Sequence, residues 1–406
     1  MELPIYLDYA ATSPVDSRVA LVLGQHLGRD GIFGNPSSNT HAYGRAASRA
    51  VETARTHVAT LLNADRGAIC WTSGATEANN LALFGVMRAH SRKGRHLVTG
   101  KTEHKAVLDV CRRLERDGCS VEYLDPDPDG LIPPERVAAA LRADTVLVSL
   151  MHVNNETGVV QDLAAIGAIT RPLGVLLHVD AAQSAGKLPL DLQALPVDLL
   201  SLSAHKLYGP KGVGVLFVRQ RPNRVRLDPL LYGGGQERGL RAGTLPTHQI
   251  AAMGEACRIA GEDMAAEQAR IRELRDRLWQ GLAGLGDAEL NGHPERRVAG
   301  IVNVSFAGIA AEALLAALPD IAVATGSACN SASKDPSHVL RAMGRDLFLM
   351  RGAVRFSLGR FTTAEEIDYV IEQVSAAVNR LRELSPLWEL QRRGLDQRTV
   401  DWAALP

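Results

Sequence analysis

The stretch Leu199-Leu200-Ser201-Leu202-Ser203-Ala204-His205-Lys206 joins a short apolar run to a polar cluster that ends in a lysine. Outward from it, comparable runs recur at 68–72, 96–98, 121–124, 145–151, 175–179 and 213–218, separated by longer helix-patterned stretches. They are rich in Val, Ile and Leu without strict alternation, the pattern of strands buried on both faces. Strand–helix alternation of this kind predicts an α/β fold with a mainly parallel seven-stranded sheet flanked by helices. In such sheets the ligand lies beyond the carboxyl ends of the strands.

After about Ala260 the texture changes. Residues 262–282 are charged and amphipathic, with Ile271, Leu274, Leu278 and Leu282 at helical spacing. Short strands are expected at 302–306 and 354–357, and a helix over 365–381 that Thr362 or Thr363 caps. We expect a large domain over residues 16–261 and a smaller α+β domain built from 1–15 and 262–406.

Composition narrows the function classes. The 406 residues are 46% hydrophobic and 22% charged, as in globular proteins, and 45 basic residues balance 45 acidic ones. No basic block stands out, so no nucleic-acid partner is expected. No run approaches the ~20 apolar residues of a membrane helix. The start, Met1 to Tyr6, shows neither a basic region nor an apolar one of the secretory kind. Cys70, Cys111, Cys119, Cys257 and Cys329 are odd in number and form no C-x-x-C pair, which suits a reducing compartment and argues against a zinc site. The reading is a cytoplasmic protein.

Lys206 follows directly on a buried strand, where an ammonium is costly unless paired or neutralised. An imine with an aldehyde cofactor would remove the charge, and Ser203 and His205 beside it could donate to a phosphate. The alternative is a solvated loop lysine. Asp180 ends the 175–179 run; a carboxylate there can pair with a protonated pyridine nitrogen, or cap a helix. Trp71-Thr72-Ser73-Gly74-Ala75-Thr76-Glu77 feeds a strand into a Gly-containing turn and a helix, a natural phosphate cradle and also an ordinary capping pattern. His104, just past another strand, could stack on a cofactor ring and carry protons, or be structural. All four clusters end strands of one sheet, and together they point to pyridoxal 5'-phosphate (PLP).

One more segment selects the reaction. Ala324-Thr325-Gly326-Ser327-Ala328-Cys329-Asn330-Ser331-Ala332-Ser333-Lys334 surrounds a single cysteine with small and polar residues. Nothing large and apolar anchors it, so the sequence predicts a mobile surface loop carrying a reachable thiol. The other four cysteines sit in apolar or helix-patterned surroundings and read as small buried hydrophobes.

The sequence resembles the cysteine desulfurases of housekeeping iron–sulfur cluster assembly, fold-type I PLP enzymes of the class V aminotransferase kind. The resemblance runs nearly end to end, through Leu7-Asp8-Tyr9-Ala10-Ala11, Gly34–Ser38, 101–111, Met151–Gly158, Gly233–Gly239, Arg241–Thr244, the Cys329 loop, Arg355–Arg360 and 384–389. It implies Lys206 as the PLP-holding lysine, Asp180 on the pyridine nitrogen, His104 on the ring and Gln183 on the phenolic oxygen. Ala75, Thr76, Ser203 and His205 fall at phosphate contacts, with Asn155 and Arg355 on the cofactor edge and substrate carboxylate. Thr244 matches a phosphate contact donated by a second subunit, so the resemblance implies a homodimer with shared sites. It also implies an iron–sulfur scaffold protein among the sulfur acceptors, with Cys329 as a transient cluster ligand there and no intrinsic metal.

Two departures bear on the site: Ala204 replaces an expected Gly beside the phosphate position, and Asn330 an expected Thr or Ser. The implied reaction takes sulfur from L-cysteine as a Cys329 persulfide and releases alanine, with Lys206 and His104 as proton carriers and Arg355 as carboxylate clamp. A transaminase of the same fold would have no work for Cys329. A selenocysteine lyase would use similar parts and differ in its relative rates on the two substrates. The segment from Ser385 onward, with Leu387 and Trp388, either docks the acceptor or packs on its own domain; the resemblance favours docking.

Overall fold

In the computed structural model, residues 3–221, 224–325, 337–386 and 388–389 are described. The strands are β1 Ile5–Tyr6, β2 Ile69–Thr72, β3 His96–Gly100, β4 Ser120–Leu124, β5 Thr145–Met151, β6 Leu176–Asp180, β7 Leu199–Ser203 and β8 Gly214–Val218. They are followed by β9 Ala288–Asn291, β10 Ile301–Phe306, β11 Ile321–Ala322, β12 Ala324–Thr325 and β13 Ala353–Ser357. The seven-stranded sheet has the order β2-β8-β7-β6-β5-β3-β4. Neighbours are parallel from β7 to β4, whereas β8 runs antiparallel to both β7 and β2.

Side chains alternate between two cores, as the strand period requires. Val98, Leu150, Val179, Leu200 and Phe217 enter one, while Cys70, Leu97, Leu147, Leu199 and Leu216 enter the other. The lack of strict polar–apolar alternation is thereby explained: most of these strands bury both faces. Edge strand β4 is the exception, with Ser120 and Glu122 exposed. Strand order reverses between β3 and β5, where the chain leaves β4 and returns on the other side of β3. That crevice, at the carboxyl ends, is where ligands of such sheets bind.

A second sheet, β12-β13-β10-β9, is antiparallel, and β1 pairs in parallel with β11. Its core gathers Ile5, Leu7, Val304, Phe356, Val370 and Val374. The expected helix at 365–381 runs over Ala364–Glu383, and Thr363 caps it with a reciprocal Glu366 capping box.

The helix expected at 262–282 begins earlier and spans Thr247–Ala283, 37 residues. Its first half lacked a visible amphipathic period because it is hemmed in closely: a Cβ on Gly254 would lie 2.5 Å from Ala54. Ile250, Met253 and Cys257 pack into the first core, and Ile271, Leu278 and Leu282 into the second. The 261/262 division lies inside this helix. At the C-terminal end Trp388 stacks under Arg382 at 4.1 Å, and Ser385 Oγ donates to Gly308 O at 2.5 Å. Trp388 therefore packs on its own domain; Leu387 lies outside the described residues. No helix among the described residues is long and apolar enough to cross a membrane.

Candidate active site

A cleft of about 1300 Å3 opens at the carboxyl edge of the large sheet. Ser73, Ala75 and Thr76 follow β2, His104 follows β3, Asn155 follows β5, Asp180 and Gln183 end β6, and Ser203, His205 and Lys206 leave β7. Arg355 reaches the same cleft from β13. Thr244 does not line it; it is exposed in the loop before the Thr247–Ala283 helix. Cys329 lies outside the described residues, as does Asn330.

The Ala75–Ala89 helix starts at Gly74, whose φ of +154° suits glycine and whose cap has no side-chain hydrogen bond. The capping pattern seen in sequence is only half used: Glu77 Oε2 accepts from Ser73 N at 2.8 Å while also pairing with Arg241. First-turn amides are thus left facing the cleft. A Cβ on Gly74 would stand 3.6 Å from Ser203 Oγ. His205 Nδ1 is 3.1 Å from Thr12 Oγ1, and burial, reinforced by Lys206, Lys211 and Lys187, pushes its pKa down to about 4. A neutral imidazole beside Lys206 and Lys211, which line the cleft, leaves this corner attractive to an anion. Ala204 does not line the cleft; its methyl is fully buried in the core, so this departure leaves the corner's polar surface intact.

Asp180 is buried and held at both oxygens: Oδ2 accepts from Asn79 Nδ2 at 2.7 Å and Oδ1 from Ala182 N at 3.0 Å. No helix starts at Asp180, so the helix-cap alternative does not hold; the carboxylate closes a turn on the Ala182 amide and faces the cleft. Two residues earlier on β6, His178 bridges Ser149 of β5 at 2.8 Å and Ser201 of β7 at 2.9 Å. Burial pushes the pKa of His178 down to about 3, so this ladder beneath Asp180 is neutral.

Lys206 Nζ donates to the carbonyls of Ala10 at 2.5 Å and Ala11 at 2.6 Å. Gln183 Nε2 donates to the same Ala10 carbonyl at 2.8 Å. His104 is the N-cap of the Lys105–Arg116 helix, its Nδ1 accepting from Ala106 N at 3.1 Å, so a neutral ring carries its proton on Nε2. Arg355, 2% exposed, donates to Asn155 O at 2.8 Å and Asp8 Oδ1 at 2.7 Å.

Several contributors escaped sequence reading. Asp8 fixes Arg355, and Asn79 fixes Asp180. Asn154 Oδ1 accepts from Glu156 N and Thr157 N, each at 2.9 Å, while its Nδ2 donates to Thr102 O. Glu156 accepts from Ser337 Oγ at 2.5 Å, and burial, opposed by Ser337, Arg355 and His104, pushes its pKa up to about 7. Glu103 is also buried and its pKa is driven well above the ordinary carboxyl value by burial; one oxygen accepts from Met151 N at 2.8 Å. The asparagine-rich 154–155 pair after β5 was the available signal for the loop anchor; no signal marked the pairings themselves.

Comparison with known proteins places these features in a family. The aminotransferase class-V model matches residues 5–370. Cysteine desulfurase IscS of Shewanella loihica is 57% identical over 99% of this chain and 100% of its own. That of Aeromonas salmonicida is 58% identical over the same shares. Among solved structures, a NifS-like protein superposes with a TM-score of 0.86 at 35% identity, covering 93% of this chain and 100% of its own. SspA in complex with cysteine gives 0.78 at 36% identity, over 88% and 100%. By matches that run essentially end to end, the chain belongs to the class-V aminotransferases and, within them, to the cysteine desulfurases.

Proposed function

We propose that this protein is a PLP-dependent cysteine desulfurase that converts L-cysteine to alanine, holds the sulfur as a persulfide on Cys329 and passes it on to iron–sulfur cluster assembly. The observation that carries the reading is the convergence of Lys206, Asp180 and the Gly74 anion corner on one cleft. These residues fit PLP. The uncapped first turn, Thr76, Ser203 and His205 would hold its phosphate, Asp180 would face its ring nitrogen, His104 its ring and Gln183 its phenolic oxygen. Bound there, PLP supplies the electron sink for chemistry at the substrate's Cα.

The chain's own groups do the rest. Lys206 would hold the cofactor and, as a free amine, would take the proton from the substrate's Cα. Asp180, locked by Asn79 and the Ala182 amide, would keep a proton on the ring nitrogen. Arg355 is pre-oriented by Asp8 and Asn155 O, and turns its remaining N–H groups to the substrate carboxylate. Cys329 as thiolate attacks the substrate sulfur: an S–S bond forms, the C–S bond breaks with its electron pair left to Cβ, Cβ takes up a proton, and Cα regains the proton that Lys206 took, giving alanine and a Cys329 persulfide. Cys70, Cys111 and Cys257 are buried, and burial raises the pKa of each, those of Cys70 and Cys257 to about 12. Cys119 is raised as well. None of these four is a ready thiolate, which favours Cys329 as nucleophile.

A homodimer that places Thr244 of one subunit against the phosphate corner of the other belongs to the same proposal, as do scaffold and other sulfur acceptors and a cytoplasmic setting. The test is absorbance and product analysis on the purified protein with L-cysteine and a thiol reductant. A visible PLP band with equal yields of alanine and sulfide is expected, and Lys206→Ala should lose both. Normal alanine release by Lys206→Ala would refute the assignment.

A further inference from the structure

Gln183 lies on the cleft beside Lys206, yet its amide is tied from behind. Lys187 Nζ donates to Gln183 Oε1 at 3.1 Å, and Gln183 Nε2 donates to Ala10 O at 2.8 Å. A peptide carbonyl has no donor, so the Nε2 end of the amide must face Ala10 O, and Lys187 Nζ then donates to the oxygen end and holds it there. In this orientation, one N–H of Gln183 goes to Ala10 O and the second has no acceptor among the described residues. Lys187 itself does not line the cleft.

The local backbone is shaped for this. The chain turns at Gly186, with a φ of +69°, and brings Lys187 back over Gln183 four residues earlier. A Cβ on Gly186 would stand 2.4 Å from Leu207 Cδ2 and 3.0 Å from Ala260 Cβ, so the turn admits no other residue without displacement. The charged groups acting on Lys187 are Lys206, Glu267 and Arg355. Burial, followed by repulsion from Lys206, pushes its pKa down to about 7, with Glu267 opposing. A lysine kept there against that cost, and paired with an amide instead of a carboxylate, calls for a task.

We propose that Lys187 is a positioning residue: it fixes the Gln183 amide so that an N–H points at an anionic oxygen of the ligand held beside Lys206. This rests on the PLP reading, in which that oxygen is the phenolic one. An N–H donor favours the form of the cofactor with the negative oxygen, so loosening the donor makes the cofactor easier to protonate.

The experiment is a pH titration of the visible band of the full-length holoprotein, for the parent, Lys187→Met, Lys187→Arg, Gln183→Ala and Lys187→Met/Gln183→Ala. Lys187→Met replaces a desolvated ammonium by an apolar chain of similar length and should stay folded. We expect its midpoint to rise by about half a unit or more, Lys187→Arg to restore most of the parent value, and the double variant to match Gln183→Ala. An unmoved midpoint in Lys187→Met, shifts that add in the double variant, or a Lys187→Met protein that does not fold would each overturn the proposal. A parent protein that acquires no visible band with PLP would instead overturn the PLP reading itself.

Discussion

Lys206 and Gln183 share one acceptor, the Ala10 carbonyl, and that carbonyl comes from an N-terminal segment far away in the chain. At the scale of single residues the site is a set of reactive groups, each held by a partner at long range. The reactive groups were legible because each breaks a local rule: a lysine or carboxylate ends a buried strand, a histidine opens a helix. Their partners were not. Asp180 meets Asn79 across 101 positions and Arg355 meets Asp8 across 347, and nothing in a polar residue's own neighbourhood announces such a contact. Glu156 is the case with a measurable consequence. Its pKa of about 7 in the folded protein exceeds the ordinary 4.5, so between those values the folded state binds more protons than the unfolded one. Stability from this group is full below the lower value and is lost as pH rises to the upper one. Glu156→Gln keeps the shape of the protonated acid and removes the titration. Its melting temperature relative to the parent should therefore improve by a few degrees more at pH 8 than at pH 4.5. The same difference at both pH values would remove Glu156 from this role.

At the scale of elements, the strands were readable from runs of branched apolar residues. What those runs could not convey was direction, and β8 runs against its neighbours. Nor could they convey edge position, which leaves Ser120 and Glu122 of β4 exposed. The start of the Thr247–Ala283 helix was hidden because its polar stripe is narrow, Glu255 and Arg258 standing among small buried residues such as Ala251, Ala252, Gly254 and Ala256. The Ser149–His178–Ser201 ladder was hidden for another reason: one histidine within an apolar strand reveals neither neighbour. The ladder ties β5, β6 and β7 together just below Asp180. His178→Ala leaves two buried hydroxyls without a partner and a cavity between them. We expect a loss of about 3 kcal/mol in a urea titration of the holoprotein. A loss below about 1 kcal/mol would mean the three strands hold their register without the ladder.

At the scale of the whole molecule, the cleft is framed by the N-terminal segment, the large sheet and β13 of the second sheet, and the 37-residue helix fastens the two cores to each other. The C-terminal segment extends that frame through the stacking of Trp388 on Arg382 and its close approach to Gly308. Deleting everything from Ser385 should lower the melting temperature, whereas deleting from 390 should not, because only the first removes Trp388. Equal melting temperatures for the two would show that Trp388 packing contributes nothing. Acceptor binding is therefore best tested on the shorter deletion, where a loss of binding without a loss of stability would assign docking to residues 390–406. The central claim, that sulfur from L-cysteine comes to rest on Cys329, has a direct test in peptide mass spectrometry after a single turnover under non-reducing conditions. We expect an added sulfur on the peptide containing Cys329, its absence in Cys329→Ser with PLP still bound, and no change when Cys70, Cys111, Cys119 or Cys257 is replaced. An added sulfur on any of those four, or full alanine release by Cys329→Ser, would contradict the claim.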